Sequence, residues 1–581
     1  MPNPVVPGIF LEEQKYALNP LRIDTRCLTG FVGIAERGPI DTPVMISGFD
    51  EYIKIFGSFD TAGNLPFSVY SYFKCGGAEC VIVRVADVKN AHKAALELPC
   101  SSSGSVILEA KTEGTWGNHI SARIWHEGET LKAITQVDRE EGRWLELVDK
   151  EIQANDVVKI SLFGQQCYRT ISRKDEKRIY FDRPLRLLQR VQNIDGDMKT
   201  ERSFVSFSFS CKGKTENYLH LSMNPASDRY YLSYINARSK FCTLAENNAQ
   251  GIIKPFFAKG ASGGNDGIAE ISAGDFIGFY EGLTRYRGLG ALESRDDISL
   301  IAVPDVPWLL SQAGKSVEER EEAVYSVQAA MTSQAERFPG RFSILDVPSG
   351  YEGLKALGWA KRIDSSSSAA YCPYIDIIDP VDKAGSKTVR IPPSGAVCGC
   401  IVAMDNEKGI FHAPANMTLQ GAVGLATRID DREYELLYPS GINMLKYFPG
   451  RGVKIWGAST LASNPDWRYI NVRRTFSAIC RSLRQGTQWA VFEPNDKNLR
   501  KRLVRQVSGF LLDLWMNSYL AGSTAEQGYY VRCDEELNPP ENIDNGILTF
   551  EVGLAITKPT EFFKISITAE KEGASVYIEE N

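Results

Sequence analysis

The sequence predicts a multidomain fold of the α/β and α+β classes, with a β-rich domain inserted between α/β segments. Three observations predict it. The chain has 581 residues, enough for roughly three to five domains. Residues 27–98 and 251–390 alternate short apolar strands with helical segments, the pattern of a partly parallel sheet. Between them, residues 105–250 carry short alternating runs separated by charged turns, the pattern of antiparallel strands.

The elements follow in order. Residues 1–26 read as an extended arm, because Pro2, Pro4, Pro7 and Pro20 each disfavour helix. Within it Ile9-Phe10-Leu11 is a strand-like triplet without a local partner, so it needs pairing across its own domain or on another chain. Leu28–Ile34 is a strand ending at the turn signal Arg37-Gly38-Pro39. Phe49–Phe56, closed by Gly57, and Pro66–Phe73, closed by Gly76-Gly77, are short helices with glycine ends. Val81–Val85 is β-branched almost throughout and reads as a buried strand. Cys100-Ser-Ser-Ser-Gly104 marks a boundary, and the insert beyond it has runs such as Val157–Leu162, Arg178–Phe181 and Phe204–Phe209. After the insert, glycine-rich Gly260–Gly267 leads to a helix near Asp275–Leu283 and a strand at Ile298–Val303. An amphipathic helix over Val317–Arg337 and a strand at Phe342–Val347 come next. In the last large segment, 391–568, Asp496 or Asn495 caps a helix in which Leu499, Leu503, Val507, Leu511 and Trp515 recur at helical spacing. Strands at Leu548–Ile556 and Glu561–Thr568 close the fold, and 569–581 reads as a loose charged tail.

Composition narrows the function classes. With 43% hydrophobic and 24% charged residues the chain is not disordered, collagenous or of low complexity. A net charge of −6 and a pI near 5.7 offer no global basic field for nucleic acid. Only five histidines argue against a His-based metal or acid–base site. Residues 1–20 have neither the basic start nor the apolar core of a secretory signal. No apolar run reaches the ~20 residues needed to cross a bilayer, so direct membrane insertion is not expected. Twelve cysteines without a CxxC pair read as reduced, mostly buried thiols of a protein made in a cytoplasm.

The motifs with chemical meaning have plainer readings. Gly260-Ala261-Ser262-Gly263-Gly264 matches the G-x-S-x-G elbow of serine hydrolases, with Ser262 as nucleophile. Asn265-Asp266-Gly267 breaks the helix that this elbow needs, and His412 is the one histidine downstream. A flexible glycine-rich loop is the better reading. No Gly-Lys-Ser/Thr follows to make it a phosphate loop. Asp296-Asp297 and Asp534-Glu535-Glu536 could hold a divalent ion, but adjacent carboxylates without an EF-hand spacing read as solvated faces. His412 lacks a ligand at metal spacing and reads as a core or interface residue. The expectation is therefore no enzyme, no cofactor, no metal and no catalytic residue.

One charge pattern stands out. Lys497, Lys501 and Arg505 are spaced i, i+4, i+8, with Arg500 beside them and Arg502 on the flank. Cations in the first turns oppose the helix macrodipole, at roughly 0.3–1 kcal/mol each when exposed. Two readings stand: a stripe for an acidic partner, or a solvated face balanced by nearby carboxylates.

Together these residues resemble the contractile tail sheath family. The resemblance rests at the N-terminal end on Pro7-Gly8-Ile9-Phe10-Leu11-Glu12-Glu13 and Gly30–Pro39, and in the middle on Gly114-Thr115-Trp116-Gly117-Asn118. It continues through Pro392-Pro393-Ser394-Gly395, Gly409–Asn416, Gly441-Ile442-Asn443 and Arg451–Ala458. The most specific stretches are Arg473-Arg474, Trp489–Asp496, Phe550–Ala555 and Pro559–Phe562. Ala458-Ser459-Thr460 departs from the family's usual Ala-Arg-Thr, so an ion pair made by that Arg is not carried over.

The resemblance implies a discontinuous sheath core domain built from both chain ends, interrupted by the β-rich outer domain. It implies a structural subunit that polymerises as stacked rings around an inner tube and contracts to drive the tube through a target envelope. Partners implied are the chain itself, the inner tube protein, and baseplate and tail terminator proteins, with no nucleic acid. Assembly would be cytoplasmic, ahead of a place in a phage tail or an extracellular contractile particle. Strand exchange would use an arm at Ile9, Phe10, Leu11 and Glu12 and a C-terminal strand at Glu561, Phe562, Phe563, Lys564, Ile565, Ser566 and Ile567. The tube-facing contact would be made by Lys497, Arg500, Lys501 and Arg505. A serine hydrolase at Ser262 and a non-contractile, adhesin-like particle protein are the rival readings.

Overall fold

The computed structural model describes residues 21–581 apart from 60–62, 132–133, 148–150, 195–197, 279, 282–284, 352, 562–563, 571–572 and 580–581. The arm residues Ile9 to Glu12, together with Phe562 and Phe563, lie outside the described residues.

An eight-stranded sheet forms the centre. Its strands are β1 (Leu28–Gly33), β2 (Val44–Ile46), β3 (Cys80–Arg84), β4 (Ile298–Ala302), β5 (Phe342–Asp346), β6 (Ser368–Cys372), β7 (Ile442–Phe448) and β8 (Gly452–Trp456). Their spatial order is β2-β3-β1-β4-β5-β6-β7-β8. The outermost pairs are antiparallel and the remainder parallel. Every residue of β1, β3, β4, β5 and β6 is buried. That fits their mostly apolar sequences, since a parallel sheet is covered on both faces.

Helices α1 (Phe49–Phe56) and α2 (Leu65–Lys74) cover one face, α3 (Val317–Arg337) the other, and α4 (Ser394–Glu407) packs on α2. The bounds of α1 and α3 are those the sequence pattern predicts. A capping box starts α3, with the Ser316 hydroxyl accepting from the Glu319 amide at 3.1 Å and the Glu319 carboxylate from the Ser316 amide at 2.8 Å. Gly395 and Gly399, one turn apart on α4, allow close approach to α2. A methyl group at either would collide with the backbone of Ser68 or Tyr72.

The insert is larger than residues 105–250. It begins with Ala95–Pro99, which pairs with Ser103–Ala110, and extends through Phe256–Gly260, which pairs with Ser121–Thr130. The Cys100–Gly104 stretch is therefore not a linker but a hairpin turn, closed by the Cys100 amide on the Gly104 carbonyl at 3.1 Å. Small polar residues suit a tight turn as well as a boundary, so composition alone does not separate the two. Two apolar clusters fill the insert, one around Phe207 and Phe209 and one around Val158, Ile160 and Ile179.

The helix expected near Asp275–Leu283 spans only Ala273–Ile277. Gly278, in the left-handed region at φ 77°, ends it, and a short pairing of Tyr280–Glu281 with Arg285–Tyr286 follows.

The C-terminal region packs α5 (Ile470–Gly486) against α6 (Lys497–Met516) through Ile479, Leu483, Leu503, Val507 and Leu511. Asp496 caps α6, its carboxylate accepting from the Leu499 amide at 2.7 Å. Leu21 and Ile23 pack on this cluster, and the Asp24 amide donates to the Ser482 hydroxyl at 3.0 Å. A buried ion pair ties the region to the sheet domain: Arg474 of α5 donates to Asp405 of α4 at 2.5 and 2.9 Å and to the Cys27 sulfur at 3.2 Å. Strands β9 (Tyr529–Arg532) and β10 (Glu551–Leu554) pair as a two-stranded sheet. Finally, β11 (Lys564–Glu570) pairs with β12 (Gly573–Glu579). The tail expected to be loose from residue 569 is thus half of a hairpin. Its alternating Ala574, Val576 and Ile578 supply the strand pattern, which the terminal charges obscure in the sequence.

Candidate assembly surface

In doubly wound sheets a ligand crevice opens at the strand carboxyl ends, where the order of strands reverses. Here the reversal falls between β1 and β4, and the chain fills it. Asp305, fully buried just beyond β4, accepts from the amides of Ile34 at 2.6 Å and of Asn64, the residue that precedes α2. Burial pushes its carboxyl up to about 7, against the pull of the amide donors. Asp346, the last residue of β5, meets α4 in the same way, accepting from the Ser394 amide at 2.8 Å. Burial raises its carboxyl to about 7 as well. Both helix starts, ready-made anion sites, are occupied by the protein's own acids.

Ser262 does not sit on an elbow. It forms an antiparallel bridge with Ala95, with no helix following, and among the described residues no histidine or carboxylate is hydrogen-bonded to its hydroxyl. His412 lies against Phe411 with ring centres 4.3 Å apart and planes tilted by 32°, and burial, with Lys408 nearby, holds its imidazole below the usual value. Asp297 pairs with Arg295 at 2.6 Å, while Asp534 and Glu536 share Arg532 at 2.9 and 3.0 Å.

The basic stripe lines a groove of about 910 Å³ between α6 and the 532–536 loop. The structure separates its four cations. Lys497 pairs with Glu535 across 3.2 Å, both side chains 76% exposed. Arg500 is buried, its Nε donating to the Asp496 carbonyl at 3.4 Å. Lys501 and Arg505 are exposed, and among the described residues no carboxylate pairs with either. Arg502, on the flank, lies over the Trp489 ring at 4.6 Å. The compensated-face reading thus holds for Lys497, and the partner reading is left to Lys501 and Arg505. Arg500 is corrected to a buried residue, held on the Asp496 carbonyl rather than offered to a partner. Sequence reasoning missed Arg532, which lines the same groove and takes up Asp534 and Glu536.

The two-stranded β9–β10 sheet has Tyr529, Val531, Val552 and Leu554 against the C-terminal core, and among the described residues no third strand joins it. Isolated two-stranded sheets are marginal. Of the expected exchange strand, Glu561 is anchored before β11 begins. Tyr438 donates to one carboxylate oxygen and Tyr469 to the other at 3.2 Å. Lys564, Ile565, Ser566 and Ile567 lie in β11, paired with residues of their own chain.

The family described as the phage tail sheath protein central domain matches residues 317–461, and the phage tail sheath C-terminal domain matches 462–570. The two matches adjoin in the family's order. Over residues 317–570 the chain carries two domains of the contractile tail sheath family. The chain is 24% identical over 336 residues to a putative prophage major tail sheath protein of Pseudomonas aeruginosa, covering 56% of this chain and 80% of that one. It is 28% identical to the tail sheath protein of Burkholderia phage BcepMu, over 53% of this chain and 63% of that one. Its fold resembles the contracted helical sheath of the anti-feeding prophage, with a TM-score of 0.51 at 19% identity over 97% of this chain and 99% of that one. A sheath tail protein from Desulfitobacterium hafniense is similar too, with a TM-score of 0.53 at 12% identity over 91% and 94% of the two chains. Among the described residues no helix is long and apolar enough to cross a membrane.

Proposed function

We propose that this chain is the structural subunit of a contractile tail. It polymerises as stacked rings around an inner tube and shortens to drive the tube through a target envelope. The adjoining matches to the two tail sheath domains carry this reading. The likeness of nearly the whole chain to a contracted sheath supports the fold it needs. Its core draws on both chain ends, a reading supported by β1 lying between β3 and β4 and by Leu21 and Ile23 packing on the α5–α6 cluster.

Neighbouring subunits are joined by strand exchange. The arm at Ile9–Glu12 and the strand over Glu561–Ile567 add to the β9–β10 sheet of adjacent copies, whose two-stranded form leaves room for them. Each net hydrogen bond of such pairing adds ~0.5–1.5 kcal/mol. Glu561, held by Tyr438 and Tyr469, marks the point where the exchange strand leaves the body. Lys501 and Arg505 face the inner tube, while baseplate and terminator proteins bound the sheath at its ends. No bond chemistry is involved: contraction releases free energy as subunit bodies rotate into larger interfaces.

Electron microscopy of the purified protein with inner tube tests this. Striated helical tubes are expected, and discrete oligomers would overturn the reading. Removing residues 1–20 should leave a folded subunit that does not polymerise, whereas normal tubes from that truncation would refute the arm's role.

A further inference from the structure

The loop between α5 and α6 holds an unexplained feature. Phe492 is 102% exposed, with Val491 beside it at 61%. Its backbone lies in the left-handed region at φ 68°, a conformation costly for a bulky side chain. Such outliers persist when the surroundings over-determine them and the position serves a function.

The surroundings here are well tied. On one side the Trp489 indole donates to the Gln506 side chain at 2.7 Å, and the Val491 amide to the Gln488 carbonyl at 3.1 Å. On the other, the Glu493 amide bonds the Ala490 carbonyl at 3.3 Å, and the Asn495 side chain bonds the Ile547 carbonyl at 3.1 Å. The loop is thereby pinned to α6 and to Ile547, while the Phe492 ring, unlike that of Trp489, is left in water. The helix that follows, α6, presents the exposed cations Lys501 and Arg505 in its second and third turns. An exposed aromatic on a pinned loop, followed along the chain by a helix with unpaired cations, offers both components of a binding hot spot for an acidic surface with an apolar recess.

We propose that Phe492 is the aromatic anchor of the contact with the inner tube, seated in an apolar recess of an acidic tube surface while Lys501 and Arg505 engage the surrounding carboxylates. This rests on the tube-facing reading of α6. The ring supplies salt-independent affinity and the cations supply salt-dependent steering.

Co-sedimentation of the full-length chain with purified inner tube, at low and high salt, tests the proposal. Phe492→Ala should bind at least tenfold more weakly, about 1.4 kcal/mol, with an unchanged salt dependence, and Phe492→Leu should recover part of the loss. Lys501→Glu with Arg505→Glu should weaken binding and flatten the salt dependence. If the wild-type chain does not bind the tube at either salt, the tube-facing reading fails and this inference with it. If the wild type binds and Phe492→Ala binds equally well, the anchor alone is refuted. If Phe492→Ala retains tube affinity but blocks association of the chains with one another, Phe492 belongs to an interface between copies, and the proposed occupant is wrong.

Discussion

Arg474→Met removes one half of the ion pair that joins α4 to α5. The side chains of Arg474 and Asp405 are 4% and 1% exposed, and their two hydrogen bonds are 2.5 and 2.9 Å long. Burial by itself would lower the Arg474 pKa, but Asp405 more than offsets it, so the guanidinium stands above its ordinary value. Arg474 is thus charged in the fold. Methionine matches the length of the stem but leaves the Asp405 carboxylate in an apolar interior without a counter-charge, and leaves the Cys27 sulfur without its donor. Breaking one partner of a buried pair costs about 3–5 kcal/mol, whereas replacing both by apolar residues is often neutral. Urea unfolding followed by circular dichroism, with hydrogen exchange of the α4 and α5 amides, measures this. The expected result is a loss in that range for Arg474→Met and recovery of most of it by Arg474→Met with Asp405→Leu. A single-variant loss below about 1 kcal/mol, or a double variant as unstable as the single, would refute the argument that the pair holds the two regions together.

Asp305→Asn tests the buried acid at the strand reversal. A folded pKa near 7, above the ordinary value of 3.8, means that ionisation of Asp305 opposes folding. Its contribution is greatest below pH 4 and is lost by about pH 7, so the stability of wild type minus that of Asp305→Asn should fall between pH 4 and pH 7. A difference that rises with pH in denaturant titrations would show the carboxylate to be favourably ionised in the fold. Gly399→Val places a branched side chain against the Tyr72 backbone on α2 and should cost at least 1–3 kcal/mol by thermal or urea unfolding; an unchanged midpoint would mean that α2 and α4 can part freely. Charge reversal at the exposed Lys501 and Arg505 should leave subunit unfolding within about 0.5 kcal/mol of wild type, and a larger drop would mark these cations as structural.

Local pattern carries some elements in full. The bounds of α1 and α3 follow from apolar spacing with a glycine end or a capping box, and Asp496 announces α6 because its partner amide is three residues away. Such interactions lie within one helical turn, so the sequence contains both partners side by side. The sheath family is legible for a related reason, since its motifs at the two ends keep their order along the chain. The hairpin turn at Cys100–Gly104 shows where local reading stops, because a Ser-rich stretch suits a linker and a turn alike.

What the sequence by itself determined is the buried strands β1, β3, β4 and β5, the helices α1, α2, α3 and α6, the β-rich character of the insert and the likeness to the sheath family. Tertiary structure alone decided which pieces meet. Arg474, Asp405 and Cys27 converge from three distant segments; Asp305 reaches from β4 to the start of α2; Arg500 turns inward while Lys501 stays in water; β11 finds β12. The physical reason is that periodicity tells which face of an element avoids water, whereas the partner of that face is set by long-range packing. A buried charge declares itself only when the group that neutralises it has been brought within about 3 Å.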